Sequence, residues 1–198
     1  GVVIANGTAN QNISGVGDVN NFEINKSSGD LIFNSSVVIN GGGWVYTAGN
    51  LVWNNNTVTC NGTPVAINNG RYYQLNLNNA SLVLTLTGNT IISNTLTLSA
   101  LATIDGGSLS AEGDIANTDI SWGGTGKLIA SGTSDQTVLG AGDLGVFEIN
   151  KSSGNLNFNA NVVVSRGWKH LLGNINWNNN SVTFNGLAGS IDSGQFNN

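Results

Sequence analysis

The chain has no methionine, one proline, one cysteine and one histidine in 198 residues, and each scarcity removes a class of explanation. A single Cys60 excludes an internal disulfide and any multi-cysteine metal site. His170 stands alone, without a second histidine or a partner motif that would make it a catalytic base. Charged residues make up only 9%, the net charge is −5, and the six basic residues are scattered singly. That leaves no electrostatic footprint for nucleic acid. No apolar run approaches the length that crosses a bilayer, and neither end carries a signal-peptide or lipidation signature. Because Gly1 is not an initiator, the expectation is a processed chain or a piece of a longer one. No window shows a helical stripe with capping residues, so helix content is expected to be close to nil.

What is present is polar, uncharged and repetitive. Asparagine supplies 34 positions and glycine 28, beside a 39% hydrophobic content that supports burial rather than disorder. Residues 22–29, FEINKSSG, recur unchanged as residues 147–154, an offset of 147 − 22 = 125. The match extends outward: GTANQNISGVGD (7–18) pairs with GTSDQTVLGAGD (132–143), and WNNNTVTCNG (53–62) with WNNNSVTFNG (177–186). A weaker copy lies between them, where residues 96–113 line up with 44–62 across one gap. The chain is read as one continuous array over 1–198, with units of approximately 1–66, 67–125 (divergent) and 126–190. Such units cannot bury an apolar face alone and must stack on their neighbours.

Within each unit apolar and polar residues alternate in short runs, as in Leu82, Leu84, Leu86 and Leu96, Leu98. Period two marks strands with one buried face. The runs are separated by clusters such as KSSGD, NGGG, TAGN and NNN, whose residues accept positive φ or bond their own backbone. Tandem self-similarity favours a solenoid over a sandwich or propeller. The expected fold is all-β: a parallel β-helix, a single elongated rod, right-handed by the general preference of parallel crossovers. Turns spaced to give coils of roughly 20 to 25 residues imply eight to ten coils and a rod of about 40–45 Å. Asparagines at the same place in successive coils are expected to form amide ladders along the axis.

The stretch GTGKLIASGTSDQTVLGAGDLGVFEINKSSGNLNFN, followed by GNINWNNNSVTFNG, resembles the repetitive β-helix regions of secreted bacterial surface proteins, including adhesins and autotransporter-passenger-like proteins. The resemblance spans almost the whole chain and implies an extracellular or cell-surface stalk, adhesive surface or building block of an assembly.

Candidate chemistry is sparse. Asp18 and Asp143, and Glu23 and Glu148, recur one long repeat apart, too far to share a substrate atom. Glu112, Asp114 and Asp119 are the densest carboxylates, but without a calcium-loop spacing they read as solvated turn residues. No catalytic, cofactor-binding or metal residue is assigned, and the chain is expected not to be an enzyme. Trp44 and Trp168 align with Leu96, and Trp53 and Trp177 with Ile104, which marks these four indoles as core. Trp122 has no such counterpart and is the leading candidate for an exposed contact, followed by Tyr72 and Tyr73. Cys60 aligns with Ala111 and Phe184, an inward position.

The leading expectation is therefore a stiff structural module in a surface adhesin or stalk, or a filament subunit. Its partners would be flanking repeats or its own copies stacking end to end, with no nucleic acid and no membrane insertion. The alternative is a module that binds cell-surface carbohydrate; a polysaccharide-active enzyme or an ice-binding solenoid, the latter from recurrent Thr-x-Thr pairs, comes after.

Overall fold

In a computed structural model, which describes residues 1–119, 122–186, 190–192 and 196, the chain winds as a β-solenoid of about nine turns. Among the described residues there is no helix, and every strand pairing is parallel. Successive coils hydrogen-bond along three faces. The first runs through Val3, Phe22, Trp44, Ile67 and Leu86. The second runs through Gly70, Thr90, Leu109, Leu128, Phe147, Trp168 and Ile191. The third joins Val37, Val58, Leu75, Leu96, Ile115, Val138 and Phe158. At about 4.8 Å per coil, nine turns make a rod roughly 43 Å long.

Strand alternation sends every second side chain into one continuous core. Ile24, Leu31, Phe33, Val58, Leu75, Leu96, Ile115, Val138 and Phe158 are fully enclosed. Cys60 and the four indoles expected inside are also buried, and burial pushes the Cys60 thiol up to about 12. Aromatic rings stack along the axis where the long repeat places them. Phe33 lies 4.2 Å from Trp53 at an interplanar angle of 15°, and their counterparts Phe158 and Trp177 lie 4.6 Å apart at 14°.

The turns follow from their residues. In both WNNN segments the two residues after the indole take the left-handed conformation: φ is 47° and 62° at Asn54 and Asn55, and 48° and 63° at Asn178 and Asn179. Asparagine tolerates this region better than any other non-glycine residue. The third asparagine then reaches back one coil, as Asn56 Nδ2 donates to Phe33 O and Asn180 Nδ2 to Phe158 O, each at 2.8 Å. The expected amide ladders are present: Asn54 Nδ2 donates to Asn34 Oδ1 and Asn34 Nδ2 to Asn12 Oδ1, both at 3.1 Å. Asn178 does the same to Asn159 at 2.8 Å.

The two identical octapeptides do not occupy the same face. Phe22 sits in the first column and Phe147 in the second, and those columns are separated within one coil by the corner at Asn69, between Ile67 and Gly70. Starting from Phe22, 125 residues amount to whole coils plus one face. The second copy is therefore turned about the rod axis relative to the first.

Coil length varies, and this shapes the surface. Trp44 lies 22 residues after Phe22 and Ile67 lies 23 after Trp44, but Leu86 follows Ile67 by only 19. A wide coil is thus covered by a narrow one.

Candidate functional site

The step from wide to narrow coil opens the ladder. Residues 30–32 pair with 50–52, and 70–72 pair with 90–92, but no ladder joins 50–52 to 70–72. Trp53 bridges the gap instead, its indole N–H donating to Arg71 O at 2.8 Å. The result is an open groove of about 560 Å³ on the side of the rod, lined by Tyr46, Leu51, Arg71, Tyr73, Ile91 and Ser93 together with Asn50, Asn69 and Asn89. This volume falls within the usual range for small-molecule sites.

Arg71 is the one charged side chain in that lining. It is held by a two-pronged pair with Glu112, at 2.5 and 2.9 Å, and by Ser93 Oγ at 2.9 Å. Its charge is thus matched at the rim. The Tyr46 hydroxyl is also committed, donating to Gly49 O at 2.7 Å. Tyr73 is half-buried, and among the described residues its hydroxyl makes no hydrogen bond.

Of the three aromatic residues expected to be exposed, Tyr73 alone lines a groove. Trp122 is 3% exposed: its N–H donates to Asp143 O at 2.7 Å and the Arg166 guanidinium covers the ring at 4.3 Å. Lack of a repeat counterpart reflects a local plug, not a surface. Tyr72 is fully enclosed among Trp44 and Trp53. Strand alternation allows only one of two adjacent residues to face out, so Tyr72 and Tyr73 were never equivalent candidates.

No described cluster unites the titratable groups. Glu112 pairs with Arg71, Asp114 Oδ1 accepts from Thr137 N at 2.8 Å, and Asp119 is not solvated but buried, accepting from Leu101 N at 2.6 Å. Among the described residues no three of His, Cys, Asp or Glu lie close enough to share a metal ion. His170 Nε2 meets Gly173 O at 2.8 Å, the counterpart of the Tyr46 bond to Gly49. Its repeat partner thus makes the equivalent contact without an imidazole.

No known protein family, curated protein or solved structure matches this chain. The solenoid architecture rests on the chain's own geometry.

Sequence reasoning missed two features. Arg71 and Tyr46 gave no signal, because a groove created by unequal coil lengths involves residues far apart in the chain. Lys26 and Lys151, inside the identical octapeptides, are each only 1% exposed. Lys26 Nζ donates to Ala9 O at 2.7 Å and Gln11 Oε1 at 3.1 Å, and Lys151 Nζ to Ser134 O at 2.9 Å and Ser131 O at 3.3 Å. Burial lowers the pKa of Lys151, against the opposing attraction of Asp135. Unchanged recurrence was the available signal for these two lysines.

Proposed function

We propose that the chain is a non-enzymatic structural rod of an extracellular assembly, acting as a stalk or adhesin segment or as a filament subunit. The observation that carries this reading is the parallel stacking of successive coils around one continuous core through about nine turns. In such an arrangement each coil is held by its neighbours, and the same interaction can extend the rod. The end coils support extension. Val3 at one end is 48% exposed and Ile191 at the other 55% exposed, although the residues they pair with, Phe22 and Trp168, are buried. Among the described residues the strands Val3–Gly7 and Ser190–Ile191 each pair with a neighbour on one side only. Strand edges of this kind accept further strands, from flanking repeats or from a second copy. The extracellular placement rests on the resemblance to bacterial surface β-helices and on a surface rich in asparagine and poor in charge.

Electron microscopy and sedimentation of the native chain over a wide concentration range test the filament form. Regular filaments with a strand repeat near 4.8 Å along the axis are expected, shortened by Val3→Asp or Ile191→Asp. Single rods at every concentration would refute stacking of copies and leave extension by flanking repeats.

A further inference from the structure

The groove above the wide coil has a chemistry that the rod itself does not require. A solenoid needs its ladder closed, yet here the rungs between 50–52 and 70–72 are missing and polar side chains converge on the gap. The phenol ring of Tyr73, with Tyr46 and Ile91, provides an apolar wall. Around it stand three amides with unused capacity. Asn50 donates from Nδ2 to Asp30 at 2.8 Å, which leaves its own oxygen for another partner. Asn89 Oδ1 accepts from Ser108 and Ser110, both at 2.8 Å, which leaves its two N–H donors. Among the described residues the Asn69 side chain makes no hydrogen bond, and φ of 38° at this residue fixes the corner on which it stands.

We infer that this groove binds a short neutral oligosaccharide. A sugar ring has one apolar face for an aromatic wall and hydroxyls that both donate and accept, which suits amides that offer both functions. Charge pairing in the groove selects a neutral ligand. Glu112 neutralises the Arg71 guanidinium and, with Ser93, takes three of its five N–H donors, so the groove lining offers no unpaired positive charge to a uronate, sialate or phosphate. The bidentate geometry also fixes Arg71 before any ligand arrives, which lowers the ordering cost of binding. An extended peptide would draw on the open strand edges alone and would leave the amides and phenol unused. The inference does not depend on the rod being a filament or a stalk.

The test is an NMR titration of the intact chain with hexa-oligosaccharides of glucose, mannose, galactose, xylose and N-acetylglucosamine, in α- and β-linked forms where both exist. Hexagalacturonate and an uncharged extended decapeptide are run beside them. The Trp53 indole N–H, bonded to Arg71 O, reports on the groove, and the Trp122 indole N–H serves as the remote control. At least one neutral oligosaccharide is expected to shift Trp53 and not Trp122. Tyr73→Ala, and independently Ser93→Trp, which fills the groove from the coil above, should each weaken that binding by about tenfold or more. Circular dichroism and melting confirm that each variant is folded. No shift with any neutral oligosaccharide, binding of the hexagalacturonate or the decapeptide alone, or full binding by both folded variants would overturn the inference.

Discussion

Lys151→Met tests the claim that buried ammonium groups fasten one coil to the next. Methionine keeps most of the aliphatic stem, which lies against Gly173 in a contact that a Cβ there would close to 2.8 Å from Lys151 Cβ. What the substitution removes is the pair of bonds to Ser131 O and Ser134 O. Hydrogen bonds to a charged donor contribute about 1.5–3 kcal/mol each. The longer of the two, at 3.3 Å, belongs at or below the lower end of that range. The released cost of burying an ammonium offsets part of the sum. The expected net loss is about 2–4 kcal/mol, a fall in melting temperature of roughly 4–16 °C for a domain of this size. The effect should also depend on pH. The folded pKa lies below the ordinary 10.5, so in the window between them the unfolded chain holds the proton that the folded chain has lost. Wild-type stability from this group rises with pH through that window and is lost as pH falls through the folded value. The cost of Lys151→Met therefore grows as pH approaches 10.5. Thermal melts of both proteins across this range, with hydrogen exchange at residues 131–135, measure it. A loss below about 0.5 kcal/mol, within the scatter of ordinary surface substitutions, would refute the fastening role.

Cys60 should resist Ellman's reagent in the native protein at pH 8 and react fully once unfolded, because burial holds its thiol near 12; rapid native reaction would contradict its place in the core. Trp44→Ala removes a ring packed against Phe22, Phe33, Trp53 and Tyr72 and should cost about 3–5 kcal/mol in chemical denaturation. Asn34→Ala breaks two rungs of an exposed amide ladder, and its loss, by the same assay, should be about 1–2 kcal/mol.

The architecture was legible because its causes are local. Alternation in Leu82, Leu84 and Leu86 sets one buried face, and the WNNN turns announce their left-handed corners by composition. Internal comparison placed Trp44, Trp53, Trp168, Trp177 and Cys60 inside for a sound reason: positions that exchange with Leu, Ile or Ala are apolar. The same comparison failed at Trp122, since an unmatched residue carries no such information, and its N–H found Asp143 O across a coil. The groove was invisible because it arises from a mismatch between coils of 23 and 19 residues, a property of register and not of any segment. Arg71 and Glu112, 41 residues apart, meet only after two coils have formed.

The turned second copy has a consequence for anything that recognises this surface. The exposed Asn25, Ser27 and Ser28 recur as exposed Asn150, Ser152 and Ser153, yet the two sets look out from adjacent sides of the shaft, whereas Glu148, the counterpart of Glu23, is buried against Lys127. A flat partner, such as a sheet of cell-wall polymer or a crystal face, touches one copy and leaves its twin facing elsewhere. A partner that wraps the shaft meets both. Repetition in this chain thus distributes one chemical address around the circumference.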